Sequence, residues 1–292
     1  MHIHDNKSQR TLLIGSFLVP LLGGSMIPMA VANEGSMDAP IAVQMYTLRD
    51  YGTLEEQFAT VAEAGVGAVE LVGDQGVSAE QLNQLLDANG LDVVSSHVQL
   101  DDLRQDLASV AAFHKAIDND TIVIPYLDES QRPMDEAGWQ ALGEEMGEMA
   151  DKLAEQDLRL AYHNHDFEMQ TYGDQTALEI LLDAAGPELL AEVDVAWVSR
   201  GGQDPAEYLG NFDDQLFAIH VKDNAPEGEA EDEKGFAIPG QGVMDWQSIL
   251  PAADDAGVEW YIIEHDLPAD AAAVVVQGAE FLEQALASDT AE

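Results

Sequence analysis

Cysteine is absent from all 292 residues. A disulfide framework, a thiolate zinc site and a thiol nucleophile are therefore excluded. Basic residues are almost as scarce: 11 Lys and Arg stand against 56 Asp and Glu, a formal charge of −45. Such a chain repels nucleic acid and anionic lipid and makes a phosphate-rich substrate harder to attract. No G-x-G-x-x-G follows a strand pattern and no G-x-x-x-x-G-K-[ST] occurs, so nucleotide-binding signatures are missing too. No segment beyond the first forty residues is apolar enough to span a membrane.

The first forty residues have a different composition. "MHIHDNKSQR" carries Lys7 and Arg10, and an apolar run interrupted by Pro20, Gly23, Gly24 and Pro28 follows. Ala30, Val31 and Ala32 supply an A-x-A end. This pattern predicts a signal peptide over 1–32, a linker over 33–40 and a folded domain over 41–288. The expected location is periplasmic or extracellular, with no membrane contact once the leader is removed. Without residues 1–32 the balance is 9 basic against 55 acidic, a charge of −46. Carboxylates spread along the whole chain stay hydrated in brine, where their repulsion is screened. The expected source is a halophilic bacterium.

The domain reads as eight short apolar strands, over 41–47, 66–72, 91–98, 121–127, 158–164, 189–198, 216–223 and 258–266. Each is followed by a helix, over 53–65, 78–90, 103–117, 135–156, 176–186, 204–212, 245–257 and 269–287. Ser78 is a natural N-cap and Gly90 a stop for the second helix. Strands buried on both faces and strictly alternating with helices predict parallel pairing. Eight such units predict a closed (β/α)8 TIM barrel. An acidic insertion, Glu227 to Lys234, is expected to extend into solvent.

A barrel of this kind carries its active site at the C-terminal ends of its strands. There the chain places Gln44 and Tyr46, Glu70, His97, Tyr126, then His163, Asn164 and His165 with Glu168 just beyond. Next come Glu192 and Asp194, His220 and Lys222, and finally Glu264, His265 and Asp266. Five of the eight histidines fall at strand ends. Each alone is compatible with a hydrogen-bonded core histidine. Together, so many ionisable groups are costly to bury without a partner such as a metal ion.

The segments "IAVQMYTLRD", "HNHDFE", "EVDVAWV", "IHVKD", "GQGVMDW" and "YIIEHD" occur in that order at barrel spacing. Together they resemble the sugar phosphate isomerase/epimerase family of the xylose-isomerase-like TIM-barrel superfamily, from Ile41 to about Ala287. The resemblance implies a divalent metal (Mn²⁺, Mg²⁺, Co²⁺ or Zn²⁺) on Asp194, His220 and Glu264. Relatives commonly end strand 5 in a glutamate ligand, where this chain has His163. The fourth ligand is His163, His165 or Glu168, with Glu168 favoured and the two histidines then left for proton transfer. Imidazole suits that task near neutral pH.

Lys222 is expected to hydrogen-bond a substrate oxygen or to pair with Asp194. Gln44, Tyr46 and His97 are expected to line the sugar pocket, or simply to pack at strand ends. The implied reaction removes a proton beside a carbonyl through a metal-stabilised enediolate. Without a Lys/Arg cluster the expected substrate is a neutral or keto sugar, isomerised or epimerised. The alternatives are cleavage or hydration of 3-keto-glycosides by the same chemistry, and a sugar-binding barrel without catalysis. A homo-oligomer is compatible with the pattern.

Overall fold

The computed structural model describes residues 40–212 and 215–289. The expected leader and most of the linker lie outside the described residues. Eight strands close into one parallel barrel: β1 Ile41–Gln44, β2 Ala68–Val72, β3 Asp92–His97, β4 Thr121–Ile124, β5 Arg159–His163, β6 Leu189–Asp194, β7 Leu216–Val221 and β8 Trp260–Ile263. Each pairs with its sequence neighbours, and β1 closes on β8 with Ile41 opposite Tyr261. The helices are α1 Leu54–Glu63, α2 Ala79–Asn89, α3 Leu100–Ala116, α4 Glu136–Ala154, α5 Ala177–Ala185, α6 Val195–Arg200, α7 Pro205–Leu209, α8 Trp246–Asp255 and α9 Ala271–Asp289. None among the described residues is long and apolar enough to cross a membrane.

The caps follow from the sequence. Ser78 and Gln81 form a capping box at the start of α2, and Gly90 ends it at φ 65°. Several boundaries depart from expectation: the first strand, expected over 41–47, stops at Gln44 where a 3-10 turn over Met45–Leu48 begins. The strand expected over 189–198 stops at Asp194, because that carboxylate accepts from the Trp197 N–H at 3.0 Å and starts α6. This adds a ninth helix. The third helix begins at Leu100 and breaks at Asp106, whose φ of −155° and ψ of 71° leave the helix. Asp106 then caps the second segment, accepting from the Ser109 N–H at 3.0 Å.

Two apolar layers result. The larger fills the space between strands and helices, with Tyr162, Leu71 and Val193 pointing outward from the barrel. The smaller fills the interior with Ala42, Ala161, Ala218 and Ile262. By the two-residue period of a strand, these sit one step below Gln44, His163, His220 and Glu264. Apolar residues beneath and polar ones above put the ionisable side chains at the C-terminal end of the barrel.

Asp223, just past β7, ties down the loop that follows. Its buried carboxylate accepts from the N–H groups of Gly240 (2.9 Å), Gly242 (3.1 Å) and Met244 (3.1 Å), and from Trp246 Nε1 (2.8 Å). A Cβ on Gly242 would come within 2.2 Å of Asp223, which accounts for the glycine in "GQGVMDW".

Candidate active site

The strand ends deliver two connected groups of buried polar side chains. The deeper one surrounds two carboxylates. Gln44 Nε2 and Ser95 Oγ each donate to Glu70 at 2.6 Å. His220 Nε2 lies 2.8 Å from Glu70 Oε1 and 3.1 Å from Glu192 Oε1. His97 Nε2 lies between the same two oxygens, at 3.1 and 2.9 Å. His163 Nδ1 reaches Glu192 Oε1 at 3.0 Å. The three imidazoles also pack together, with His163 and His220 centroids 4.4 Å apart.

Charge in this group is shared. Burial opposes the protonation of His97, but Glu70 and Glu192 outweigh it and raise its pKa to about 9. Burial likewise opposes the His220 cation, and the same two carboxylates override it and raise the pKa well above its ordinary value. His163 goes the other way: burial, then the neighbouring His220 charge, push it well below. Burial alone would raise Glu70, but His97 and His220 hold it well below the usual carboxylate value.

The second group lies nearer the cleft. One donor atom from each of Asp194, His220 and Glu264 lies within 4.8 Å of the others, and all three residues are buried. Among the described residues, His220 Nδ1 has no hydrogen-bond partner, and Asp194 Oδ2 and Glu264 Oε2 are each paired with the Lys222 ammonium. His163 Nε2 and His220 Nδ1 each stand 4.0 Å from Asp194 Oδ2. Buried polar atoms are rarely left unmatched. Two carboxylates and imidazole nitrogens converging in this way suit a divalent cation that takes mixed oxygen and nitrogen ligands. The contacts of the deeper group also fit: Glu192 and Glu70 engage the opposite ring nitrogens of His163 and His220 and orient both rings.

Lys222 is the counter-charge. Its Nζ lies 2.8 Å from Asp194 Oδ2, touches Glu264 Oε2 as an ion pair and donates to Asp266 Oδ1 at 2.7 Å. Burial works against its charge, but Asp194, Glu264 and Asp266 more than offset it and keep it protonated. Burial raises Glu264 to about 7, with Lys222 opposing.

His163, His220, Lys222 and Glu264 line a cleft of about 530 Å³. His165 stands on its wall, ringed by Tyr126, Trp197 and Phe167 at centroid distances of 4.9, 5.3 and 6.0 Å. Burial, then Lys222, hold its pKa down at about 3, so the ring is neutral. Tyr46 sits at the mouth, 41% exposed, with the Arg49 guanidinium 3.8 Å above its ring. Arg132 covers the Phe167 ring at 3.7 Å and contacts the Tyr126 hydroxyl.

The structure thus brings Asp194, His220, Glu264, His163 and Lys222 together, with His165, Tyr46, His97 and Gln44 lining the same cleft. Glu168 is not brought to the group. Its carboxylate accepts from Tyr162 Oη at 2.6 Å and from the His165 N–H at 2.8 Å. Gln44 lines the cleft and also holds Glu70. The insertion does not simply extend into solvent. Glu227 and Glu229 are exposed, but Glu233 accepts from the Ala269 N–H at 2.7 Å and Lys234 lines the cleft, 3.6 Å from Asp266.

Sequence reasoning placed Glu70 and Glu192 at strand ends without giving them work at the site. The period-two step puts Glu192 on the same strand face as Asp194, where one of the two was expected to balance a neighbouring Lys or Arg; the structure instead sets Glu192 against His97, His163 and His220. Trp197 carried no signal, because its place on the wall depends on the strand giving way to α6.

The chain belongs to the xylose isomerase-like TIM barrel family, which it matches over residues 58–285. It is 27% identical over 142 residues to an inosose dehydratase of Lacticaseibacillus casei, which covers 43% of this chain and 46% of that protein. The chain thus spans about half the length of the curated relatives it matches. A solved sugar phosphate isomerase/epimerase from Parabacteroides distasonis superposes with a TM-score of 0.70 at 20% identity, covering 88% of this chain and 98% of that one. A zinc-bound IolI protein superposes with a TM-score of 0.68 at 15% identity, covering 85% and 98%. At these identities the two structures speak for the fold.

Proposed function

We propose that this protein is a divalent-metal-dependent sugar isomerase or epimerase that removes a proton beside the carbonyl of a neutral or keto sugar. The observation that carries the reading is the convergence of one donor atom each from buried Asp194, His220 and Glu264 within 4.8 Å of one another, beside the cleft that His220 and Glu264 line. These three, with His163 as the fourth donor, would hold the ion. When bound, it would polarise a substrate carbonyl and the neighbouring hydroxyl.

The chain's own groups then divide the work. His165 lines the cleft with Nδ1 free of any hydrogen bond among the described residues, the position from which an imidazole can accept a proton. Lys222 is held protonated, so its ammonium can donate to a substrate oxygen that gains negative charge. Asp266 keeps that ammonium in place at 2.7 Å. Tyr126, Phe167 and Trp197 screen His165 from water and offer apolar faces to the C–H side of a sugar ring. Imidazole among the ligands favours Co²⁺ or Zn²⁺ over Mg²⁺, and the two carboxylates suit Mn²⁺ as well.

A second reading is β-elimination, in which the same proton abstraction is followed by loss of the group β to the carbonyl. It is favoured by the likeness to inosose dehydratase over nearly half of the chain. The test is a panel of free sugars, keto sugars and 3-keto-glycosides incubated with metal-loaded protein in D₂O and read by NMR. Deuterium at one carbon of an otherwise intact sugar supports isomerisation or epimerisation. Loss of water or of an aglycone supports elimination. No exchange on any substrate contradicts both.

A further inference from the structure

Glu168 ends the "HNHDFE" segment and is completely buried, yet stands apart from both groups of donor atoms. Its position explains why. Strand alternation sends His163 inward and Tyr162 outward, into the apolar layer beneath the helices. Glu168 Oε1 accepts from the outward Tyr162 hydroxyl at 2.6 Å. The carboxyl therefore lies behind the end of β5, on the far side of the chain from the cleft.

Its other oxygen reaches back three residues to the peptide N–H of His165 at 2.8 Å. This is the reach of a glutamate in a capping box. Strand pairing of β5 ends at His163, opposite Glu192, so the sheet does not set the direction of the chain at His165. The turn is also fixed from below. Met169 fills the space beside Gly201, where a Cβ would come within 2.3 Å of it.

We propose that Glu168 is a positioning residue, which holds the His165 peptide so that its imidazole stands in the cleft among Tyr126, Phe167 and Trp197, and which does not bind the ion. The functional part of this inference rests on His165 being the proton acceptor proposed above. Glutamine replaces the carboxylate poorly, because its single acceptor oxygen can serve the His165 N–H only if the Tyr162 hydroxyl turns to accept from its amide.

The test uses the whole chain with Mn²⁺ for stoichiometry, Zn²⁺ for NMR, and the variants Glu168→Gln, Tyr162→Phe and Asp194→Ala. Bound metal per chain is measured after dialysis. The ring signals of His165, assigned by their loss in His165→Gln, are followed by NMR. Glu168→Gln is expected to keep the wild-type metal content and to shift the His165 signals. On a substrate that exchanges, its kcat falls roughly 10- to 100-fold with KM nearly unchanged, the cost of a misplaced reacting group. Tyr162→Phe, which removes one of the two hydrogen bonds, shifts the same signals less and carries the test should Glu168→Gln fail to fold. Asp194→Ala loses metal.

Metal loss in Glu168→Gln equal to that in Asp194→Ala would make Glu168 a ligand and overturn the proposal. Unmoved His165 signals in a folded Glu168→Gln would overturn it as well. A panel without any exchanging sugar counts against the proposed reaction alone, since the metal and NMR measurements judge Glu168 without a substrate.

Discussion

His220 and Glu70 are 150 residues apart in the chain, and their side chains meet at 2.8 Å, Nε2 against Oε1. The contact turns His220 Nδ1 toward Asp194. Glu192 does the same for His163 through Nδ1 at 3.0 Å, leaving Nε2 on the Asp194 side. Removing either carboxylate frees a ring without deleting a donor atom. Glu70→Gln and Glu192→Gln are each expected to weaken Mn²⁺ binding by about 10- to 100-fold. Asp194→Ala and Glu264→Ala are expected to weaken it more. Isothermal titration on folded variants checks the order.

Helices α4 and α5 meet along glycine. A Cβ on Gly147 would come within 2.3 Å of the Ala185 carbonyl oxygen, and one on Gly143 within 2.2 Å of that of Leu181. Alanine is intrinsically the better helix former by about 1 kcal/mol, so an exposed helix would gain from the change. Here overpacking against backbone decides the sign. Gly147→Ala is expected to lose about 1–3 kcal/mol in urea unfolding. A gain would show that the seam has room.

These cases mark what the sequence could reveal. Eight apolar strands separated by helices were readable because burial on both faces leaves a nearly continuous apolar signature. Asp194, His220 and Glu264 were readable as strand-end residues, and it was the resemblance to the isomerase/epimerase family that implied them as a set. Glu168 was not, since choosing between cleft and outer layer depends on which way the chain turns after His163. The glycine seam was equally hidden: nothing local in "GEEMGEM" names the backbone it meets.

His114 gives a pH dependence separate from the site. Its ring is buried, and Asn119 Nδ2 donates to Nδ1 at 3.1 Å, which suits a neutral imidazole. Burial pushes its pKa down to about 4, with Asp74 weakly opposing. An unfolded histidine titrates near ~6.5. Between these values the unfolded chain binds more protons, so stability from this group is complete above about pH 6.5 and falls as pH drops toward 4. The loss is on the order of 3 kcal/mol. The test compares urea midpoints across this window in wild type and His114→Gln; the variant should lose less. Parallel curves would remove His114 as the cause.

With 56 acidic against 11 basic residues, the chain repels itself at low ionic strength. The Debye length shrinks from ~10 Å at 0.1 M to ~3 Å at 1 M salt. The melting temperature is expected to climb steeply over that range in KCl. A flat or falling curve would contradict a surface suited to brine.

The central claim is that one cation site on Asp194, His220 and Glu264 serves proton exchange beside a sugar carbonyl. The most direct measurement is deuterium incorporation from D₂O into keto sugars and 3-keto-glycosides, made with matched metal-loaded and chelator-stripped protein and with Asp194→Ala. The account predicts exchange at the carbon beside the carbonyl in the loaded wild type, its loss on stripping, its return with added Mn²⁺, and none in Asp194→Ala. Undiminished exchange in stripped protein, or in Asp194→Ala without bound metal, would contradict it.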